Sequence, residues 1–501
     1  MEYKSTRNSA LRVSSAQAIA QGISKDGGLF VPEAIPEFSQ ADIKALCDMS
    51  YIERAESILL KYLTDFTLEE IKLCAKGAYG GGKFDDDIPA PLKKFGDHAH
   101  MLELWHGPTC AFKDMALQIL PYLLTISAKK TIEGKEVVIL VATSGDTGKA
   151  ALEGFKDVPG TRIMVFYPQD GVSVMQKSQM TTQEGDNVFV CSVKGNFDDC
   201  QREVKRIFTD EETVKKLDKN NLVFSSANSI NWGRLLPQIV YYVSAYCDMV
   251  NDSSISLGDE INVVVPTGNF GNILAAYYAK KMGLPIKKFI CASNSNNILT
   301  DFIKTGIYDT NRSFFATLSP SMDILVSSNL ERLLYDLAED DDTFISECMT
   351  KLSQNGRYEV SPEIAGKLRQ CFVGGYCNDK QTKDTIKRVF NQFGYVCDTH
   401  TAVAVKVYED YAAVTGDETP TVIASTANAY KFPKSVYEAI EGQAHTDDEF
   451  ELSRRLSAKT STPIPTPLAG LEKRKERFDQ CCDSDTMKQA VYSYLGIKAK
   501  K

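Results

Sequence analysis

Two rhythms of apolar residues alternate through most of this chain. Short unbroken runs, EVVILVAT (136–143), RIMVFYP (162–168), NVFVCSV (187–193), LVFSS (222–226), INVVVPT (261–267) and KFICAS (288–293), are interleaved with longer stretches whose apolar positions fall three and four apart. GKAALEGF (148–155), FDDCQREVKRIF (197–208), WGRLLPQIVYYVSAY (232–246) and GNILAAYYAKKMG (271–283) are of the second kind. Continuous apolar runs followed by amphipathic helices predict parallel strands covered on both faces, an α/β architecture. One such unit spans 96–254. A second spans 255–501, with a more helical and charged stretch at 317–395, a late strand in PTVIAST (420–426) and a C-terminal tail. Residues 1–95 instead carry helical spacing, in SSAQAIAQGI (14–23) and DIKALCDMSYIERAESILLKYL (42–63), and predict a mainly helical N-terminal domain ending in the loop GGGKFDDDIPAPL. The acidic EDDD (339–342) reads as a solvated helix end, and LEKRKERFDQCC (471–482) as an exposed helix face.

Two strand-to-helix corners carry chemistry: TSGDTG (143–148) and TGNFGN (267–272). Glycine allows a tight turn and close backbone approach, and the helix that follows offers unpaired N–H groups at its positive end, so each corner can hold an anion. Each is equally a plain glycine turn when taken alone. Neither matches a Walker A loop or a GxGxxG fingerprint, so nucleotide binding is not indicated. Lys113 lies in GPTCAFKDMALQ (107–118), after Cys110, Ala111 and Phe112. Desolvation there disfavours the ammonium and leaves a nucleophilic amine, as Schiff-base lysines require; alone, the residue also fits a surface lysine ahead of a helix. A ligand bearing both an aldehyde and a phosphate would use the lysine and a glycine corner together, which points to pyridoxal 5′-phosphate.

Composition narrows the partners. A length of 501 residues implies two or three domains, and a net charge of −9 argues against nucleic-acid binding, which needs a basic face. Small metabolites are the better expectation. Thirteen scattered cysteines without a CxxC pair read as reduced thiols, and five histidines without metal-ligand spacing make a protein-bound metal unlikely to be part of the design. No stretch resembles a signal-peptide core or a membrane span, so a cytoplasmic location is expected, with no membrane partner.

GPTCAFKDMALQ, TSGDTG, NSINWGR (228–234) and PTGNFGN (266–272), in this order, resemble threonine synthases of the long-chain microbial and fungal type, fold type II (tryptophan synthase β-like) pyridoxal-phosphate enzymes. STRNSA (5–10), QGISKDGGLFVPEAIP (21–36), SPSMDILVSSNLERL (319–333) and DTHTAVA (398–404) extend the likeness from about residue 3 to about 480. The resemblance implies that Lys113 forms the imine link to the cofactor and then serves as general base. It implies that Gly268, Asn269, Phe270, Gly271 and Asn272 cradle the cofactor phosphate, that Asp146 approaches the phenolic oxygen, and that the Thr426 hydroxyl meets the pyridine nitrogen. Thr143, Ser144 and Thr147, with Asn228, Ser229 and Arg234, match positions that bind the substrate's phosphate and carboxylate. On the residues alone, NSINWGR also reads as a helix N-cap at Asn228 or Ser229, and Lys149 reads as a solvated helix lysine.

TANAYKF (426–432) departs from the family's segment at Asn428, Ala429 and Tyr430, while Thr426 and Lys431 still align. His400 reads as a packed, hydrogen-bonded residue. The implied reaction converts O-phospho-L-homoserine and water to L-threonine and phosphate, in a monomer or homodimer. The rivals are another fold type II lyase, such as a serine or threonine dehydratase, and a catalytically silent protein on the same scaffold.

Overall fold

Each apolar run forms a strand, and the strands sort into two sheets in the computed structural model, which describes residues 1–498 apart from Glu133, Ser144, Asp170 and Gly171. Glu136–Ala142, Thr161–Pro168, Val188–Lys194 and Leu222–Ser225 lie parallel in one sheet. Ile261–Pro266, Ile286–Ser293 and Thr421–Ser425 lie parallel in the other, with Phe372–Tyr376 at its edge. Val263, Val264 and Val265 are all fully buried, so alternate side chains on both faces of the strand are covered, as a sheet between two helical layers requires.

The sheets do not follow chain order. Leu92–Phe95 and Ala99–Glu103 straddle the sequence boundary at 96, yet both complete the second sheet: Ala99–Glu103 runs parallel to Thr421–Ser425, and Leu92–Phe95 closes the edge antiparallel. At the other end of the chain, Cys481–Asp483 leaves the second unit and pairs in parallel with Val188–Lys194 of the first sheet. The charge run before it is not helical beyond a single 3-10 turn at Leu471–Lys473. Carbonyl groups of the first unit capture the chain instead: Arg477 donates to the oxygens of Gln183 (2.9 Å) and Gly185 (3.1 Å).

The N-terminal domain has the helices Ser15–Gln21, Gln40–Cys47, Tyr51–Tyr62 and Leu68–Tyr79. The helical pattern of 42–63 breaks at Asp48–Ser50, because Ser50 and Glu53 form a capping box that starts a new helix. Beside the helices stands an antiparallel sheet of Asn8–Val13, Tyr3–Ser5 and Phe30–Pro32, which short polar strands concealed in the sequence.

Buried polar contacts fasten this domain to the rest. Arg7 grips Glu331 with two bonds (2.9 and 2.8 Å), and the Thr6 hydroxyl donates to the same carboxylate at 2.6 Å. Arg332, fully buried, donates to the carbonyls of Phe30 (2.9 Å) and Ile230 (2.7 Å) and to Asn329 Oδ1 (2.5 Å). Trp232 is ringed by Tyr3, Tyr62 and Tyr278 at centroid distances of 5.5, 5.6 and 5.7 Å. The acidic 339–342 stretch is more than a solvated helix end: Asp340 pairs with Lys4 at 2.5 Å, and Asp342 accepts the Ser9 N–H at 2.6 Å. Among the described residues no helix is long and apolar enough to cross a membrane.

Candidate active site

Loops leaving the carboxyl ends of five parallel strands supply the candidate site. They follow Ala99–Glu103, Thr421–Ser425 and Ile261–Pro266, three strands of one sheet, and Glu136–Ala142 and Leu222–Ser225, neighbours in the other. The crevice beyond strand carboxyl ends is where α/β sheets bind ligands.

Lys113 precedes the short helix Asp114–Leu117. The loop before it is held to the 426–428 segment: Phe112 N–H donates to the Thr426 carbonyl (2.8 Å), Asn428 N–H donates to the Cys110 carbonyl (3.0 Å), and Ala111 bridges Ala427. Cys110 takes a left-handed φ of 59° to make the turn. Asp114 closes it by accepting the Thr109 N–H (2.8 Å) and hydroxyl (2.7 Å); burial outweighs these bonds and pushes its carboxyl up to about 6. The Lys113 side chain is almost wholly buried, with Nζ 4.7 Å from the Phe112 ring centre and 3.6 Å from Asp146 Oδ2. Burial drives its amine below the ordinary lysine range; Asp146 opposes this, while Lys431 and Arg234 add to it.

Asp146 is the hub. Its Oδ1 accepts from Lys431 Nζ (2.9 Å) and Gln176 Nε2 (3.0 Å), and its Oδ2 faces Lys113 and, at 3.5 Å, the Ser321 hydroxyl. Burial alone would raise its carboxyl, but the charges of Lys431 and Lys113 prevail and hold it far below the carboxylate range.

The two glycine corners differ in the donors they leave open. In 267–272, Phe270 adopts a left-handed φ of 65°, and the helix Gly271–Lys281 begins with no side-chain cap. The loop's carbonyls are turned to other partners: Ser327 Oγ donates to Gly268 O (2.7 Å), and Asn329 N–H and Nδ2 donate to Asn269 O (3.1 and 3.0 Å). A Cβ on Gly268 would sit 2.6 Å from the Ser321 carbonyl oxygen, so only glycine fits. Asn272 Oδ1 is taken by the Tyr241 and Tyr242 hydroxyls, while its buried Nδ2 has no partner. The orphaned donor and the open helix end are both groups that an oxyanion can satisfy. In 143–148, Gly145 has φ 132°, and a Cβ there would strike the Gln176 amide at 2.5 Å. The Thr143 hydroxyl is partly committed, accepting from the Gly145 (2.9 Å) and Gly148 (2.8 Å) N–H groups. Thr147 is half-buried on the first turn of the helix Asp146–Phe155, and Ser144 lies outside the described residues.

Arg234 sits one turn into the helix Trp232–Asn251, whose N-cap is Asn231 rather than Asn228 or Ser229. Asn231 wins the position because its Oδ1 accepts the Gly233 N–H (2.8 Å) while its Nδ2 reaches the Ile19 and Ser226 carbonyls. The Arg234 guanidinium is buried, bonds the Ala227 carbonyl through Nη1 (2.8 Å) and leaves Nε unpaired. Among the described residues no carboxylate pairs with it, and burial lowers it to about 10. Asn228 and Ser229 are half-buried; the Ser229 carbonyl accepts from Asn329 Nδ2 (3.2 Å), the amide that also holds Asn269. Arg234 and Asn272 are further linked through Gln238 and Tyr241.

Several residues gained no role from the sequence. Lys431, Gln176, Ser321 and Asn329 join segments far apart in the chain; a lysine beside a phenylalanine at the end of TANAYKF was the one cue to the first. His400 holds its neighbours in place: Nδ1 lies 2.7 Å from Asp398 Oδ2, and Nε2 accepts the Ser321 N–H at 3.2 Å. Lys149 is not solvated; it is buried and pairs with Glu153 (2.9 Å) and Gln183.

These features define a pyridoxal-phosphate-type α/β site, and comparison agrees. Residues 91–426 match the family profile of pyridoxal-phosphate dependent enzymes, 2–79 match the threonine synthase N terminus, and 401–491 match the threonine synthase C-terminal family. Threonine synthase of Saccharomyces cerevisiae is 36% identical over 519 residues, covering 98% of each chain. Threonine synthase-like 1 of Homo sapiens is 39% identical over 482 residues, 94% of this chain and 64% of the relative, so the chain spans less than two thirds of that protein's length. The crystal structure of PLP-bound threonine synthase from Brucella melitensis superposes with a TM-score of 0.87 at 35% identity, covering 99% of each chain. The chain belongs to the threonine synthase family.

Proposed function

We propose that this chain binds pyridoxal 5′-phosphate through Lys113 and converts O-phospho-L-homoserine and water to L-threonine and phosphate. The observation that carries the reading is Arg234, a buried guanidinium with an unpaired Nε and, among the described residues, no carboxylate partner, in a site that already has an open helix end for one phosphate. A second oxyanion accounts for it.

Bound there, pyridoxal 5′-phosphate supplies an electron sink for charge left on substrate carbon. The backbone N–H groups at Gly271 and Asn272, with the Asn272 amide, hold its phosphate; Gly268, Asn269 and Phe270 set their direction. The Thr426 hydroxyl meets the ring nitrogen, and Asp146 faces the phenolic oxygen. Arg234, Asn228 and Ser229, with Thr143, Ser144 and Thr147, hold the substrate's phosphate and carboxylate. Lys113, on a flexible four-carbon stem, takes protons at Cα and Cβ. In the net change the Cγ–O bond breaks, one hydrogen passes from Cβ to Cγ, the hydroxyl of water ends on Cβ, and the remaining proton leaves with phosphate. The same reading makes this a cytoplasmic enzyme, in keeping with thirteen cysteines that remain free thiols.

Phosphate release from O-phospho-L-homoserine with stoichiometric threonine is the test. Formation of 2-oxobutyrate from threonine without phosphate release would make the chain a dehydratase, and neither product would leave a scaffold without this activity.

A further inference from the structure

Two charged groups are packed against Asp146, and both are lysines, with different surroundings. Lys431 is completely buried, and its three hydrogens have three acceptors: Asp146 Oδ1 at 2.9 Å, the Thr109 carbonyl at 2.9 Å and Gln179 Oε1 at 3.3 Å. An ammonium at this place finds an acceptor for each of its hydrogens and holds Asp146 Oδ1 in a direct ion pair. Lys113 Nζ, by contrast, has Asp146 Oδ2 at 3.6 Å and the Phe112 ring, and otherwise faces the cations Lys431 and Arg234. Gln176 and Ser321 are the neutral groups on the carboxylate. The other ionisable groups near the loop, Asp114 and Cys110, are buried, and Asp114 is spent on Thr109.

A lone buried carboxylate beside an amine would keep that amine protonated. Resting on the reading of Lys113 as the reactive amine, we infer that Lys431 is a positioning residue: by occupying Asp146 Oδ1 it cancels the carboxylate's pull on Lys113, so that the Lys113 amine is available as the free base. Lys431 thus keeps Asp146 ionised without letting it hold the nucleophile in its protonated form. Its backbone serves the same end, since the segment before it carries the Thr426 and Asn428 contacts that hold the lysine loop.

The test measures Lys113 itself. The full chain, freed of cofactor with hydroxylamine and checked for folding by circular dichroism, is labelled with fluorodinitrobenzene across pH 6 to 11. Modification of the Lys113 peptide is then read by mass spectrometry. Lys431→Met should raise the midpoint by a unit or more, cutting Lys113 labelling at pH 8 about tenfold. Asp146→Asn/Lys431→Met, which removes both charges, should restore the wild-type midpoint; a purely structural role for Lys431 would leave the double variant as impaired as the single one. Asp146→Asn alone should lower the midpoint, and it supplies the answer if Lys431→Met does not fold. An unchanged midpoint in Lys431→Met, no recovery in the double variant, or an unchanged or raised midpoint in Asp146→Asn overturns the inference. The labelling uses neither phosphohomoserine nor bound cofactor, so its outcome is separate from that of phosphate release.

Discussion

At the scale of single residues the site is a problem of buried charge. Lys113 and Arg234 are both almost wholly enclosed, and Arg234 has no counterion among the described residues, an arrangement that a folded protein keeps at a cost of several kcal/mol unless a ligand satisfies it. Arg234→Ala should therefore raise KM for the phosphorylated substrate by about ten- to hundredfold, the loss of one or two charge-assisted bonds. The thermal midpoint should hold or rise, because the charge removed is an unpaired one whose burial is costly. An unchanged KM in steady-state phosphate release would show that the guanidinium does not touch substrate. Lys113 was marked by its dry, small-residue setting in GPTCAFKDM, and Asp146 only by the family resemblance. Lys431 was given no role: its ion-pair partner Asp146 and the Thr109 carbonyl, 322 residues away, are brought to it only by folding, and no local pattern announces either contact.

At the scale of elements, an apolar run, a glycine turn and a helix sufficed to mark both strand-to-helix corners, because all three signals are local. What the sequence left hidden is how the corners are kept open. Phe270 in a left-handed conformation, Ser327 and Asn329 on the loop carbonyls, and the Ser321 backbone against Gly268 are tertiary facts. Gly268→Ala would place a methyl 2.6 Å from the Ser321 oxygen, so the loop must shift. Cofactor affinity, measured by absorbance titration, should weaken at least about tenfold, and stability should fall by about 1–3 kcal/mol. Retention of both would mean that the backbone does not approach so closely. The same limit explains the misread elements. LEKRKERF has helical charge spacing, but carbonyls of the first unit draw Arg477 into an extended path. The strands Tyr3–Ser5 and Asn8–Val13 are too short and polar to show alternation.

At the scale of the molecule, the apolar runs announced the α/β class, yet membership of the sheets was beyond them. Ala99–Glu103 joins strands that lie more than 150 residues later, and Cys481–Asp483 turns back to the first sheet, because parallel pairing is decided by crossovers and not by neighbours in sequence. The N-terminal domain is tied to the segments that line the site, through Arg7 on Glu331, Arg332 on Phe30 and Ile230, and Tyr3 and Tyr62 on Trp232. Strands, loops and clasps together bring Lys113, Lys431, Asp146, Arg234 and the two glycine corners to the same crevice. The most direct measurement is peptide mass spectrometry of the holoprotein after borohydride reduction. A pyridoxyl-phosphate adduct on the peptide that contains Lys113, and on no other, is the expected result; an adduct on a different lysine, or none at all, would contradict it.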